Sequence, residues 1–357
     1  MINSDVVKPK SKQFGFTIVE LLVVIVVIGI LAAITIVSYG GVTNKANIAS
    51  LQSDLTNTSQ QLKLFQIDNS SYPATISTNC ATNPDSLTNK CLKASEGTSY
   101  EYYVDNTASN QTFCITATKG SYSYSINNNG TTIPTAYCPV LYLDAGNSLS
   151  YPGAGNNKWY DLSGNNNNGT INGGATYSAA NGGAMGFDGV DDWIDVGDDE
   201  TLSLSSGNTF SMWLKGDSRF SEGATLINRR SQGNPGCYWL MVYNNKGFLQ
   251  YWNGSSNINV STTSDLPISQ GVWFFYTLKI SENTVSFYVN GIFIESINVA
   301  NINKDKIKSH LYIGSYQQWS TNWQFDGNIS NVGIYNRALS ISEITQNFDT
   351  LRSRYGI

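Results

Sequence analysis

"VSFYVNGIFIESI", residues 285–297, sets Asn290-Gly291 between two stretches of alternating apolar residues. Asparagine and glycine tolerate the left-handed backbone that a two-residue turn demands, so this is the strongest short-range signal for an antiparallel hairpin. Strand-like runs recur around it with Gly/Asn turns between them: "TFSMWLKG" (209–216), "YWLMVYNN" (238–245), "GFLQYWNG" (247–254) and "VWFFYTLKI" (272–280). Together they predict an antiparallel all-β sandwich over residues 140–357. About 215 residues are ample for one buried core.

The chain has 357 residues, enough for more than one domain. Charged residues make up 13% and the formal net charge is −5. Lys8, Lys10 and Lys12 against Asp5 give the first fifteen residues +2, leaving −7 on the remainder. That balance shows no cationic footprint for nucleic acid, and a mildly acidic exterior argues against binding anionic lipid.

Ahead of Pro139 the pattern changes. Ile48, Leu51, Leu55 and Leu62 fall at helical spacing, and "DNSSYP" (68–73) supplies the turn chemistry that ends the helix. "SYEYYVDN" (99–106), "TFCITATK" (112–119) and "YSYSINNNG" (122–130) read as three strands of a small sheet. This is an α+β head over residues 46–139. Cys80, Cys91, Cys114 and Cys138 cluster within it, and four cysteines in an exported protein allow three disulfide connectivities. Cys80–Cys91 with Cys114–Cys138 is the favoured pairing, because each then closes a local loop. Cys237 reads as a buried small residue. No C-x-x-C spacing occurs and His310 is the only histidine, which argues against zinc.

The N-terminal stretch "KQFGFTIVELLVVIVVIGILAAI" (12–34) places one acid, Glu20, at the head of an apolar run that continues to Val37. As a helix, 22 residues span about 33 Å, enough for a bilayer core of about 30 Å. Lysines precede the run, so the N-terminus is expected to stay cytoplasmic and the rest to be exported. An acid at membrane depth costs about 2.5–3.5 kcal/mol, which marks Glu20 as functional. Tyr39-Gly40-Gly41 is expected to interrupt or bend the helix beyond the run.

Gly15-Phe16-Thr17-Ile18-Val19-Glu20, after its short basic leader, resembles the type III signal of type IV prepilins. The resemblance implies a leader of residues 1–15, cleavage between Gly15 and Phe16 by a prepilin peptidase, and N-methylation of Phe16. It implies an assembly helix over 16–45 whose Glu20 meets the Phe16 ammonium of a neighbouring subunit. Other pilin subunits and a membrane assembly platform are the implied partners, with the inner membrane as first location and an extracellular pilus as last. Many pilins carry a proline in mid-segment; this chain has none between Phe16 and Pro73.

Further on, "YLDAGNSLSYPGAGNNKWYDLSGNNNNGTI" (142–171), "MGFDGVDDWIDVG" (185–197) and "FDGNISNVGIYNRALSISEI" (325–344) resemble laminin-G-like, concanavalin A-like lectin domains with a jelly-roll sandwich. In that family a structural calcium often sits near such turns, which would implicate Asp161, Asn165, Asp188 or Asp326. Asp and Asn also favour tight turns for their own sake, and the two readings stand side by side. Glucanases share this sandwich and show an E-x-D-x-x-E arrangement; no such spacing occurs here, so no catalytic site is read. Within "SYQQWSTNW" (315–323), Trp319 and Trp323 stand among amides, a composition suited to stacking on sugar rings; packing in the core is the alternative. "RALSISEI" (337–344) starts a short helix, with Ser340 and Glu343 as a capping box.

The expectation is a type IV pilus subunit, minor or tip-located because so large an appendage would crowd every position of a filament, displaying a lectin-like domain toward glycan or protein ligands. The competing readings are a pseudopilin of a type II secretion or DNA-uptake machine and a membrane-tethered carbohydrate-active enzyme.

Overall fold

A computed structural model describes residues 17–107, 111–153, 155–204, 207–217, 220, 222–231, 234–299, 302, 308–315 and 323–357; side chains at 33–41 and 230–237 lie outside the description. The chain forms two compact units, the first ending at Ala49 and the second spanning Ser50–Ile357.

Helix α1 (Ile18–Asn69) starts in the first unit. Its opening turn is a capping box. The Thr17 hydroxyl accepts from the Glu20 N–H at 3.2 Å, and the Glu20 carboxylate accepts from the Thr17 N–H and hydroxyl, each at 2.8 Å. Two backbone donors that would otherwise lack partners are thereby satisfied. The isoleucine, leucine and valine side chains from Ile18 to Leu31 are all exposed. Among the described residues no helix is long and apolar enough to cross a membrane; within the apolar run that continues to Val37, side chains are described as far as Ala32. Contrary to an interruption at Tyr39-Gly40-Gly41, α1 continues through those residues. Each glycine costs only about 1 kcal/mol of helix propensity, which a long helix absorbs.

In the second unit the C-terminal part of α1 buries Leu51, Leu55, Thr58, Ser59, Leu62 and Phe65. Strands β1 (Thr75–Ser77) and β2 (Asn89–Cys91) form a short parallel pair. Strands β3 (Ser99–Asp105), β4 (Thr112–Lys119) and β5 (Tyr122–Asn127) form an antiparallel meander in which the Tyr100 hydroxyl of β3 meets Thr58 of α1 at 3.4 Å. Disulfides join Cys80 to Cys91 and Cys114 to Cys138. The second ties β4 to the segment that leaves this head.

The sandwich opens with β6 (Leu141–Asp144), β7 (Lys158–Trp159), β8 (Gly169–Asn172), β9 (Thr176–Ser178), β10 (Ala184–Asp188) and β11 (Trp193–Gly197). It continues with β12 (Gly207–Gly216), β13 (Ala224–Ser231), β14 (Asn234–Tyr243), β15 (Lys246–Trp252) and β16 (Asn257–Ser261). Then come β17 (Phe274–Ser281), β18 (Thr284–Val289), β19 (Ile292–Asn298), β20 (Leu311–Ile313), β21 (Asp326–Tyr335) and helix α2 (Ile341–Arg352).

Among the described residues the strands make two antiparallel sheets. The first runs β19-β18-β17-β12-β21-β10-β9, with β6 also paired to β21; the second runs β16-β15-β14-β13-β20-β11-β8-β7. Phe210, Met212 and Leu214 of the first sheet and Leu240, Val242, Leu249 and Tyr251 of the second belong to one core. The β18–β19 hairpin turns on Asn290 and Gly291 at φ 53° and 75°, and the Asn290 side chain accepts from the Phe275 N–H at 2.8 Å. The chain is therefore a helix followed by a large antiparallel sandwich.

The outer face of the first sheet is covered. Trp213 of β12 stacks on Tyr355 at 4.0 Å and on Phe348 of α2 at 5.6 Å. Helix α2 begins at Ser340 with the Ser340–Glu343 capping box expected from sequence. It also grips the head. Asn347 accepts from the Ala136 N–H at 2.6 Å and donates to the Tyr335 hydroxyl at 3.1 Å, while Thr350 accepts from the Ser123 N–H at 3.1 Å. Head and sandwich thus share one compact unit, with buried hydrogen bonds crossing the Pro139 boundary read from sequence.

Candidate functional site

No helix lies on the second sheet's outer face among the described residues, and its composition is distinctive. Leu240, Val242, Leu249 and Tyr251 point into the core. Period-2 alternation then sends Trp239, Met241 and Tyr243 of β14, and Phe248, Gln250 and Trp252 of β15, to the other side. Register places Trp239 opposite Gln250 and Met241 opposite Phe248, with Gln250 facing Asn259 on β16. Trp323, on the approach to β21, lies against Trp239 with ring centroids 5.4 Å apart. Trp239 meets Phe248 edge-on at 5.9 Å, and Tyr243 meets Phe248 at 6.5 Å. Trp239 is buried, whereas Trp323 and Tyr243 are each 42% exposed. The result is a supported aromatic platform with two rings open to solvent.

Its construction is specific. A Cβ at Gly223 would sit 2.6 Å from the Trp323 ring, so glycine alone lets the indole settle there. Trp323 itself adopts φ +61°, a left-handed conformation costing a bulky residue about 1–2 kcal/mol. Its carbonyl accepts from the Thr225 N–H at 2.9 Å, and the Thr225 hydroxyl accepts from the Trp239 indole N–H at 3.1 Å. Amides complete the face. Gln250 donates to Asn259 at 2.7 Å, and Asn228, opposite Trp239, has both amide atoms buried without a protein partner. Flat apolar rings beside hydrogen-bonding amides are the chemistry of sugar recognition. Further along the face, His310 meets Asp195 at 2.8 Å and lies over Tyr312.

Of the tryptophans singled out in sequence, Trp323 stands in this platform, while Trp319 lies outside the described residues. Tyr243, Gly223 and Asn228 were not singled out. Alternation in "YWLMVYNN" puts Trp239 and Tyr243 on one side of a strand, but only the packing tells which side is solvent.

Asp161, Asn165, Asp188 and Asp326 fall into two places. Asp161 organises the turn before β8: its two oxygens accept from Tyr142 N–H (2.9 Å), Ser163 N–H (2.9 Å), Ser163 hydroxyl (2.7 Å) and Asn167 N–H (3.0 Å). Four bonds use the acceptor sites of a carboxylate, leaving none for a cation. Asn165 donates in the same turn to the Val140 carbonyl and the Ser163 hydroxyl, each at 3.0 Å. Asp188 and Asp326 instead pair in register across β10 and β21.

Around Asp188 lies an acidic group whose other two members, Asp191 and Asp192, were not among the residues expected to bind calcium. Asp188, Asp191 and Asp192 each offer an oxygen within 4.8 Å of the others. Asp192 is buried; one oxygen accepts from the Asp188 N–H at 2.8 Å, and the other is buried without a protein partner. Gly173 lets the backbone close on this turn, since a Cβ there would come within 1.9 Å of the Asp191 carbonyl. Burial, reinforced by the charges of Asp188 and Asp191, raises the Asp192 carboxyl to about 6. The folded state therefore holds a proton that an unfolded aspartate, near 3.9, releases. Between about pH 4 and pH 6 the native state binds more protons than the unfolded one, so stability falls as pH rises through that window. In chelator, urea midpoints are expected to decline more steeply across this range for the parent than for Asp192→Asn, in which Asp161, also raised by burial, still contributes. An unchanged decline in the variant would assign the effect elsewhere.

Gly15 and Phe16 lie outside the described residues, and Glu20 heads α1 as above. The Cys237 side chain also lies outside the description.

Residues 10–36 match the prokaryotic N-terminal methylation motif, and residues 188–345 match the concanavalin A-like lectin/glucanases superfamily. The chain joins a prepilin-type N-terminus to a concanavalin A-like domain. Its N-terminal region is homologous to type II secretion system core protein G. Identity is 36% over 91 residues with the Aeromonas hydrophila protein, covering 26% of this chain and 60% of that one. It is 38% over 65 residues with the Escherichia coli K12 protein, covering 18% and 45%. The chain thus spans about half the length of these curated relatives. Similar solved structures include the botulinum neurotoxin serotype D ligand-binding domain in complex with N-acetylneuraminic acid, at 16% identity and TM-score 0.46, covering 59% of this chain and 50% of that one. The binding domain of Paraclostridial Mosquitocidal Protein 1 has 18% identity and TM-score 0.46, covering 59% and 51%.

Proposed function

We propose that this prepilin-type chain is a pilus subunit, minor or tip-located, that polymerises through α1 and carries a glycan-binding surface on the second sheet. Prepilin peptidase would cut before Phe16, and the subunit would pass from the inner membrane, through an assembly platform, into an extracellular filament with other pilins. The observation that carries the binding reading is the exposed Trp323–Tyr243 pair, set on buried Trp239 and flanked by amides. A structural calcium at Asp188, Asp191 and Asp192 belongs to the same reading. Calcium takes six to eight oxygens, and the unpartnered Asp192 oxygen is a donor that burial leaves in want of a cation. Binding proceeds without turnover in this reading, because the exposed platform is built of rings and amides rather than a pair of carboxyl groups.

The test uses the Ser50–Ile357 unit on a glycan array, with and without chelator. Trp323→Ala is expected to weaken binding about tenfold, about 1.4 kcal/mol. Reducing-sugar release from bound glycans should stay at background, whereas release abolished by carboxylate substitution would favour an enzyme. Millimolar calcium should raise the melting temperature of the parent more than that of Asp192→Asn. Binding that survives Trp323→Ala unchanged would sink the assignment of this face.

The relatives favour a second reading, a pseudopilin of a type II secretion machine. Surface filaments containing this chain support the pilus; loss of protein secretion on deletion, with no filament, supports the pseudopilus.

A further inference from the structure

A second concavity lies where the head meets the sandwich, away from the aromatic platform. It is a cleft of about 600 Å³, within the range of small-molecule sites. The ends of β3, β4 and β5 form one wall, and Gly164 and Asn165 with Asn336 form the other. The Cys114–Cys138 disulfide, Tyr137 and Val140 line its apolar part.

The walls are fixed to each other. Asn127 donates to the Ser163 carbonyl, and Asn129 donates to the Gly164 carbonyl at 2.6 Å. A Cβ at Gly164 would come within 2.4 Å of Asn129, so only glycine allows this approach. At the rim, Tyr103 is 41% exposed and stands edge-on to Tyr137, 5.0 Å between centroids. The Arg337 guanidinium lies 3.8 Å from the Tyr137 ring centroid and is itself paired with Glu343. A cleft locked by cross-wall bonds, a disulfide and a backed aromatic pair is organised before any ligand arrives.

Its chemistry selects a class. The described lining contains Asp105 and no lysine, arginine or histidine, which disfavours anionic ligands. Asn127, Asn129 and Asn165 each give an amide N–H to a protein carbonyl, and the Asn127 and Asn129 oxygens accept from the Asn129 N–H and the Asn128 amide, so the lining presents a mixture of amide donors and acceptors. An exposed tyrosine ring beside amide donors and acceptors, with the Arg337 guanidinium at the rim already paired to Glu343, fits a ligand of hydroxyl groups on an apolar ring. We infer that this junction cleft is a second binding site, for a neutral saccharide.

The experiment titrates the Ser50–Ile357 unit, one compact body with its own core, with glucose, galactose, N-acetylglucosamine, cellobiose and lactose, and with N-acetylneuraminic acid as the anionic comparison. Side-chain amide signals of Asn128, Asn129 and Asn165 should shift with a neutral sugar and not with N-acetylneuraminic acid. Thr112→Trp, at an exposed lining position, should abolish those shifts, and Tyr103→Ala should weaken them at least tenfold. Trp323→Ala should leave them intact, which separates this site from the platform. Amide signals that stay still with every neutral sugar, or move only with N-acetylneuraminic acid, overturn the inference whether or not Thr112→Trp folds.

Discussion

Chains carrying Glu20→Ala are expected to be cleaved and exported yet to yield no filament. In the proposed pilus, cleavage before Phe16 would create an α-ammonium at the end of a helix whose apolar side chains from Ile18 to Leu31 are exposed. In that reading those side chains would be covered by lipid before assembly and by neighbouring helices after it. An ammonium buried among them without a partner costs several kcal/mol per subunit, and a carboxylate from the adjacent helix offsets it. Because the cost recurs at every subunit, a filament should disappear rather than thin. The Thr17–Glu20 capping box supplies a competing explanation, that Glu20 merely starts the helix. Glu20→Gln separates them, since glutamine keeps an acceptor for the Thr17 N–H but no charge. Filament yield by shearing and immunoblot is the measurement. No filament from either variant supports charge neutralisation; normal filament from Glu20→Gln would reduce the residue to a helix cap.

Trp213→Ala is expected to cost the second unit about 3–5 kcal/mol, the range for removing a fully buried large aromatic. The ring is completely buried between β12 and the C-terminal segment, touching Phe275 at 5.2 Å as well as Tyr355 and Phe348. One effect opposes the loss: the Trp213 indole N–H is buried without a partner, so its removal relieves a desolvated donor. Trp213→Phe, which keeps most of the ring contact and drops that N–H, should therefore cost well under half as much. The damage should spread to the head, because α2 carries Asn347 and Thr350 into it. Urea unfolding gives the stability, and limited proteolysis near residues 341–357 reports release of the helix. A loss below about 1 kcal/mol for Trp213→Ala would mean that this aromatic stack does not hold the C-terminal segment.

Several elements were legible because their causes are local. The Asn290-Gly291 hairpin follows from the φ values those residues tolerate, and the Ser340–Glu343 cap from side chains reaching backbone three residues away. Other features depended on what packs where. Gly40-Gly41 looks like a break, yet propensity costs of this size are readily overridden in a long helix. Asp161 and Asp188 look alike as acids in turns; one is saturated by four donors, while the other stands beside a buried carboxylate oxygen with none. The Asp188–Asp191–Asp192 group was visible as a run of acids, but nothing in the run says that Asp192 is the buried member.

The sequence by itself determined the prepilin signal, the hairpin-rich sandwich and its turn chemistry, since these rest on side chains acting on their own stretch of backbone. Tertiary structure alone decided that Trp239 supports the platform while Trp323 presents it, and that head and sandwich enclose a cleft. The reason is that exposure and cavity shape are sums over residues far apart in the chain, and alternation along a strand names two faces without naming their neighbours.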